Sequence, residues 1–176
     1  MYEVAEYESP IGTITIESDG KAVTGLWIEG QHPLEHVAEL GTQRNYTAVT
    51  GKQLEVISLA KAWLDLYFAG KQPDFTPPLR LEGTKFQLLV WNILQKIPYG
   101  TTKTYGEIAK EIASIEGKAR MSAQAVGGAV GSNPIAIIVP CHRVMGANGR
   151  LTGYQGGVHL KTALLETEGV DTSIFH

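Results

Sequence analysis

The chain carries one cysteine, Cys141, in the run Ile135-Ala136-Ile137-Ile138-Val139-Pro140-Cys141-His142-Arg143-Val144. A thiol next to an imidazole and a guanidinium is what a protein needs to use sulfur as a nucleophile. A thiol with an ordinary pKa of about 8.5 is only slightly ionised at neutral pH, so it needs a nearby cation, base or helix N-terminus to become reactive. This segment offers candidates for all three. The competing reading is a buried cysteine acting as a small hydrophobe. Pro140 weighs against it: proline lacks a backbone donor and ends strand pairing, which puts Cys141 just past the carboxyl end of an apolar strand, where α/β layers bind ligands. Cys141 and His142 are neighbours, and on a regular strand they would face opposite sides. Their cooperation therefore requires irregular backbone or a bridging water.

The elements that must position this segment can be read from pattern. Ile11, Thr13, Ile14 and Ile16 alternate in the strand manner, Asp19-Gly20 makes a turn, and Val23, Leu26, Trp27 and Ile28 resume, which predicts a β-hairpin. From Lys52 to Phe68, the residues Leu54, Ile57, Ala60, Leu64 and Phe68 recur at helical steps, with Gly70 as a stop. Pro73, Pro77 and Pro78 then predict an extended connection and place a domain boundary between residues 82 and 83. Thr84 with Gln87 forms a capping-box pattern ahead of Phe86, Leu89, Val90, Ile93, Leu94 and Ile97, a core helix ending before Pro98. A second capping box, Thr104 with Glu107, opens a helix through Ile108, Ala109 and Ile112. After a loop spanning Ser114 to Met121 a further helix runs Ser122 to Gly131, and the pair suggests helix-turn-helix.

That last helix, Ser122-Ala123-Gln124-Ala125-Val126-Gly127-Gly128-Ala129-Val130-Gly131, is small-sided and uncharged. An interior glycine costs about 1 kcal/mol against alanine, so close approach to something would explain the pair. Two partners fit: a neighbouring helix, or a DNA minor groove about 6 Å wide.

Composition bounds the rest. At 176 residues the chain buries a full core in one domain of moderate size or two small ones. No apolar run approaches the roughly 20 residues needed to cross a bilayer, and the start lacks a secretory signal, so a cytoplasmic location is expected. One cysteine excludes an internal disulfide and a cysteine-rich zinc site. His32 and His36 share helical spacing, and a solvated surface pair is the expectation. The net charge of −3 hides an asymmetry: residues 1–84 carry −6 and residues 85–176 carry +3. The mildly basic half holds Cys141, which supports weak, salt-sensitive contact with nucleic acid.

The motif Pro140-Cys141-His142-Arg143-Val144, with Gly131-Ser132-Asn133-Pro134 before it and Leu151-Thr152-Gly153-Tyr154-Gln155-Gly156-Gly157 and Leu164-Leu165-Glu166-Thr167-Glu168-Gly169 after it, closely resembles the O6-alkylguanine-DNA alkyltransferases. Ser9-Pro10-Ile11-Gly12, Tyr67-Phe68-Ala69-Gly70 and Ile97-Pro98-Tyr99-Gly100-Thr101 extend the likeness to nearly the whole chain. The resemblance implies an α/β fold: a small N-terminal α/β domain (1–82, β-hairpin or sheet plus helix), then a mostly helical domain (83–176) with a helix-turn-helix and an active-site cysteine loop. It implies that a monomer binds double-stranded DNA containing O6-alkylguanine, with no obligate protein partner, cofactor or metal. The lesion base would be rotated out through the minor groove, since sulfur cannot reach an alkyl carbon inside the stack.

Residue by residue, the resemblance makes Cys141 the nucleophile, His142 its base through a water, and Glu168 the carboxylate that orients the ring and stabilises the imidazolium. Asn133 would buttress the turn. Tyr154 would border the base pocket with Gly156, the Gln155 N–H would donate to guanine O6, and the carbonyls of Cys141 and Val144 would take the exocyclic amine. Tyr105 would crowd the target phosphate and help protonate the leaving base. Ser122, Ala123, Gln124, Ala125, Gly127 and Gly128 would face DNA. Gln124 stands where the family commonly carries an arginine that enters the stack, so the charge and stacking plane are lost. Arg120 or Lys118 in the preceding loop would partly restore phosphate attraction. The thioether has no ready leaving group, so each chain would act once.

Overall fold

The computed structural model describes residues 2–31, 46–48, 55–154 and 156–176; Leu54, His32, His36 and Gln155 lie outside them. The described residues divide into two compact units, Met1–Glu82 with Pro134–Ile138, and Gly83–Asn133 with Val139–His176. A single boundary between 82 and 83 therefore misses a return. The chain comes back to the first unit for five residues, because Leu26 donates its N–H to Pro134 (3.0 Å) and accepts from Ala136 (2.9 Å).

The first unit is a four-stranded sheet with one helix. Strands β1 (Tyr2–Ser9), β2 (Gly12–Ser18), β3 (Val23–Ile28) and β4 (Tyr46–Ala48) lie in the order β3-β2-β1-β4, antiparallel except for the β1–β4 pair. The expected hairpin is β2–β3, with Ile14 opposite Ile28 and Ile16 opposite Leu26. These four side chains are buried against Ile57, Ala60 and Leu64 of helix α1 (Glu55–Phe68), each worth about 1.5–3 kcal/mol for a large aliphatic group. The outer edge of β3 is covered by single bridges, from Leu79 to Val23 and from Ile135 to Leu26, which satisfy backbone groups that an open edge would expose.

The second unit is helical. Helix α2 (Lys85–Leu94) starts at the Thr84 capping box and helix α3 (Tyr105–Glu116) at the Thr104 capping box, both with reciprocal bonds to Gln87 and Glu107. Ile97 falls outside α2, because the helix ends at Leu94 and tightens into three-residue-spaced turns, Lys96 N–H to the Ile93 carbonyl and Ile97 N–H to the Leu94 carbonyl, both 3.1 Å. The loop expected from Ser114 begins later: α3 continues to Glu116 and Gly117 caps it. Helix α4 (Ala123–Gly131) begins at Ser122, whose hydroxyl accepts from the Ala125 N–H (3.1 Å). It buries Val126, Ala129 and Val130 towards α2 and α3, and the Ala129 carbonyl takes the Trp91 indole N–H at 2.8 Å. Two short parallel strands, β5 (Lys103–Thr104) and β6 (Val144–Met145), and helix α5 (Val158–Thr167) complete the unit.

The apolar run before the cysteine is not a strand. After one bridge at Ile135 it folds into tight turns: Ile137 has φ 70°, the Ile138 N–H bonds the Ala136 carbonyl (2.8 Å), and the Cys141 N–H bonds the Val139 carbonyl (2.9 Å). The turn at Ile137, with its positive φ, is of the rare and strained kind, whereas the one at Pro140 (φ −83°, ψ 65°) is the common inverse form. They deliver Cys141 into a short 3₁₀ turn, Cys141–Arg143, whose irregular backbone releases Cys141 and His142 from the opposite-face rule of a strand.

Candidate active site and nucleic-acid interface

The 3₁₀ turn places three consecutive side chains in three environments. Cys141 is 9 % exposed and His142 fully buried, while Arg143 turns towards the end of α5. His142 Nε2 lies 2.5 Å from Glu168 Oε2, Arg143 Nε donates to Glu168 Oε1 at 2.8 Å, and the Gly100 N–H donates to the same oxygen at 2.9 Å. Arg143 also donates to the Ile97 carbonyl (2.7 Å) and sits over the Tyr99 ring. Gly100 adopts φ 75°, the left-handed region that glycine enters without strain, and this aims its N–H at the carboxylate.

Burial works against ionising Glu168, yet the hydrogen bond from His142, the charges of His142 and Arg143 and the Gly100 N–H outweigh it and hold its pKa at about 2. Burial lowers the pKa of His142, and the charges of Arg143 and Lys161 reinforce this against the pull of Glu168. The pair at neutral pH is therefore carboxylate with neutral imidazole. A carboxylate only accepts, so Nε2 must carry the proton and the lone pair lies on Nδ1. That is the tautomer of a base. Burial raises the pKa of Cys141, partly offset by hydrogen bonding from Asn133, the charge of Lys161 and hydrogen bonding from Tyr154. The resting thiol keeps its proton and depends on a base to lose it.

Asn133 donates its amide to the Val139 carbonyl at 2.8 Å, fixing the turn from which Cys141 emerges. A cleft of about 670 Å³ is lined by Tyr105, Gly106, Ala123, Gly127, Gly131, Ala147, Thr152, Gly153 and Tyr154, of which Tyr105 and Tyr154 interact with Cys141. Burial raises the pKa of Tyr105, with hydrogen bonding from Thr152 opposing and the charge of Cys141 adding to the rise. Of the carbonyls expected to meet the base, that of Cys141 already accepts the Val144 N–H and that of Val144 accepts Lys161 Nζ, leaving each one lone pair. Gly156 is half-buried with φ 96°; Gln155, expected to serve guanine O6, lies outside the described residues.

Ser122, Ala123, Gln124, Ala125 and Gly128 are exposed on one side of α4, with Gly127 half-buried. A Cβ added to Gly128 meets nothing within 4 Å, and one added to Gly127 meets only the Tyr105 ring at 3.9 Å. Gly127 thus lies at ordinary van der Waals distance from Tyr105 of the neighbouring helix α3, whereas Gly128 faces open space. Arg120 and Lys118 are both exposed in the loop before it, and Lys118 pairs with Glu116 at 2.8 Å.

Three contributors were not evident from residue pattern: Gly100, Arg143 as the holder of Glu168, and Lys161. The Gly100 role is a backbone donor and has no side-chain signature. Lys161 had a signal, because it shares one stripe of α5 with buried Leu164 and Leu165 and is followed at Glu168 by the carboxylate itself. A lysine in line with buried leucines has its stem directed into the core, and here the ammonium stays buried with it.

Known proteins similar to this chain match it over most of its length. Residues 2–81 match the family model described as "6-O-methylguanine DNA methyltransferase, ribonuclease-like domain", and residues 85–170 the model described as "6-O-methylguanine DNA methyltransferase, DNA binding domain". The chain is 43 % identical over 166 residues to the methylated-DNA–protein-cysteine methyltransferase of Methanosarcina acetivorans, covering 94 % of this chain and 97 % of that one. It is 47 % identical over 168 residues to the protein of that name from Mycobacterium bovis, covering 96 % and 93 %. Its structure is similar to that of Mycobacterium tuberculosis OGT in complex with DNA, with a TM-score of 0.78, 42 % identity and coverage of 99 % and 94 %.

Proposed function

The chain belongs to the 6-O-methylguanine DNA methyltransferase family, and from that membership and the site geometry we propose that it repairs DNA by irreversible transfer of the alkyl group of O6-alkylguanine to Cys141. The observation that carries this reading is the relay from the buried Cys141–Arg143 turn through His142 Nε2 to Glu168 at 2.5 Å, together with a cleft that has Ala123 and Gly127 of α4 on its wall and Tyr105 and Tyr154, which interact with Cys141, on the same lining.

The chemistry follows from the protonation states. His142 Nδ1 takes the thiol proton through a water; the imidazolium that forms is stabilised by Glu168, already anionic and pre-oriented by Arg143 and Gly100. Sulfur attacks the alkyl carbon, the S–C bond forms as the C–O6 bond breaks, and the electron pair leaves with guanine. Gln155 N–H and Tyr105 supply hydrogen bonds and a proton to that leaving base, so the product is unmodified guanine. A thiol only 9 % exposed cannot reach a carbon inside stacked DNA, so the base must be extruded, at a cost of a few kcal/mol. The small face of α4 suits the minor groove from which such a base leaves.

The reacting groups Cys141, His142 and Glu168 come from a single chain, which supports action as a monomer. A catalytic thiol must stay reduced, which supports a cytoplasmic site of action. Among the described residues, no helix is long and apolar enough to cross a membrane.

The test is transfer of tritiated methyl from O6-methylguanine duplex. One label per chain, lost in Cys141→Ala, is expected. Binding of the lesion without transfer would instead indicate a damage sensor, and continuous turnover a cysteine hydrolase.

A further inference from the structure

Lys161 has no exposed surface. Lysine is almost never buried so completely unless paired, and its partners in this fold are backbone carbonyls. Its Nζ donates to the Val144 carbonyl and, at 2.8 Å, to the Thr152 carbonyl. Those two carbonyls belong to different walls of the site: Val144 closes the 3₁₀ turn that carries Cys141, and Thr152 lines the cleft beside Tyr105 and Tyr154. These two backbone carbonyls engage two of the ammonium's three donors and do not neutralise its charge. The ionisable groups that feel that charge are Cys141 and His142, both on the turn packed against α5.

We propose that Lys161 is a positioning residue for alkyl transfer, which locks the Val144 and Thr152 segments into one pocket and holds a fixed positive charge facing the thiolate of Cys141. The proposal rests on the alkyl-transfer reading. A neutral donor would suffice to tie two carbonyls together; a buried cation is explained when an anion forms beside it, and sulfur becomes that anion during the reaction. Burial lowers the Lys161 pKa to about 8, against the pull of Cys141, so the charge is present at neutral pH. The same cation disfavours a proton on His142 at rest, which keeps the imidazole ready to act as base. One helix, α5, thus presents a cation to the thiol and ends at the carboxylate that serves the imidazole.

The test uses the full chain and Lys161→Met, which keeps length and packing but has neither donors nor charge. Three quantities are compared with wild type: the pH midpoint for alkylation of Cys141 by iodoacetamide, the single-turnover rate on O6-methylguanine duplex, and the Kd for undamaged duplex. The expected result is a midpoint raised by about one pH unit or more, hence about tenfold less thiolate at fixed pH, with a larger loss of transfer rate because the pocket also loosens. The Kd for undamaged duplex stays at the wild-type value, since the α4 face is untouched. Lys161→Arg keeps a cation and is expected to hold the midpoint nearer to wild type than Lys161→Met does. Lys161→Gln replaces the methionine variant if that one does not fold, with the same expectation for the midpoint. A wild-type midpoint and transfer rate in the neutral variant overturn the proposal, as do equal midpoints in the arginine and neutral variants. Failure of the wild-type chain itself to take up methyl would sink the alkyl-transfer reading instead.

Discussion

Replacing Glu168 by glutamine removes one negative charge and leaves the shape almost unchanged, and its consequences can be worked out. The carboxylate accepts from His142 Nε2, Arg143 Nε and the Gly100 N–H, and its folded pKa of about 2 stands against an ordinary 4.5. At about 1.4 kcal/mol per unit this difference corresponds to about 3 kcal/mol of stability linked to ionisation. The sign is that of a depressed acid: the stabilisation is present above the ordinary pKa and is lost as pH falls from about 4.5 towards about 2. His142 adds a separate loss beginning near its ordinary 6.5, because burial makes the folded ring refuse a proton that the unfolded chain accepts.

In Glu168→Gln the step between about 4.5 and about 2 disappears. At neutral pH, Arg143 is left buried without its anion, a loss of about 3–5 kcal/mol. Transfer should slow by about 10²–10⁴-fold, the range a positioned general base contributes, because the imidazolium is no longer stabilised. Urea unfolding from pH 7 down to pH 3, with single-turnover transfer on the same samples, checks both. A loss below about 1 kcal/mol, the size of a surface ion pair, together with an unchanged acid profile, would refute this account of Glu168.

Other substitutions test other parts. Gly128→Ala has open space for its methyl and gains helix propensity, so the fold should be stabilised by about 0.5–1 kcal/mol in thermal unfolding while affinity for duplex DNA falls; unchanged affinity would remove α4 from the interface. Gln124→Arg, on the exposed side of the same helix, should tighten duplex binding and steepen the salt dependence of log K by about one unit, read by fluorescence anisotropy at several salt concentrations. Gly100→Ala forces a side chain into φ 75° with its Cβ 3.4 Å from the Glu168 carbonyl, costing about 1–2 kcal/mol in urea unfolding and slowing transfer by loosening a donor to Glu168.

Much of this architecture could be read from residue pattern where local chemistry decides it. The two capping boxes set the starts of α2 and α3 because Thr84 and Thr104 each exchange bonds with a residue three positions on. The β2–β3 hairpin followed from alternation, whereas β1 escaped notice: its side chains are mostly half-buried on both faces, so no polar-apolar contrast marks it. The Ile135–Val139 run misled for a physical reason. A continuous apolar run specifies burial but not backbone, and nothing in a β-branched residue announces the positive φ found at Ile137. Within the site, Cys141, His142 and Glu168 were accessible through their motifs. Lys161 was not, because lysine is read by default as solvent-facing, and only its alignment with Leu164 and Leu165 on α5 contradicts that habit.

The central claim concerns where the alkyl carbon ends up. Intact-mass and peptide mass spectrometry of the protein after exposure to excess O6-methylguanine duplex measures it directly. The account predicts a single added methylene mass on every chain, located on the peptide containing Cys141, with no further reaction however much lesion DNA remains. An unmodified protein, a methyl on any other residue, or more than one guanine restored per chain would contradict it.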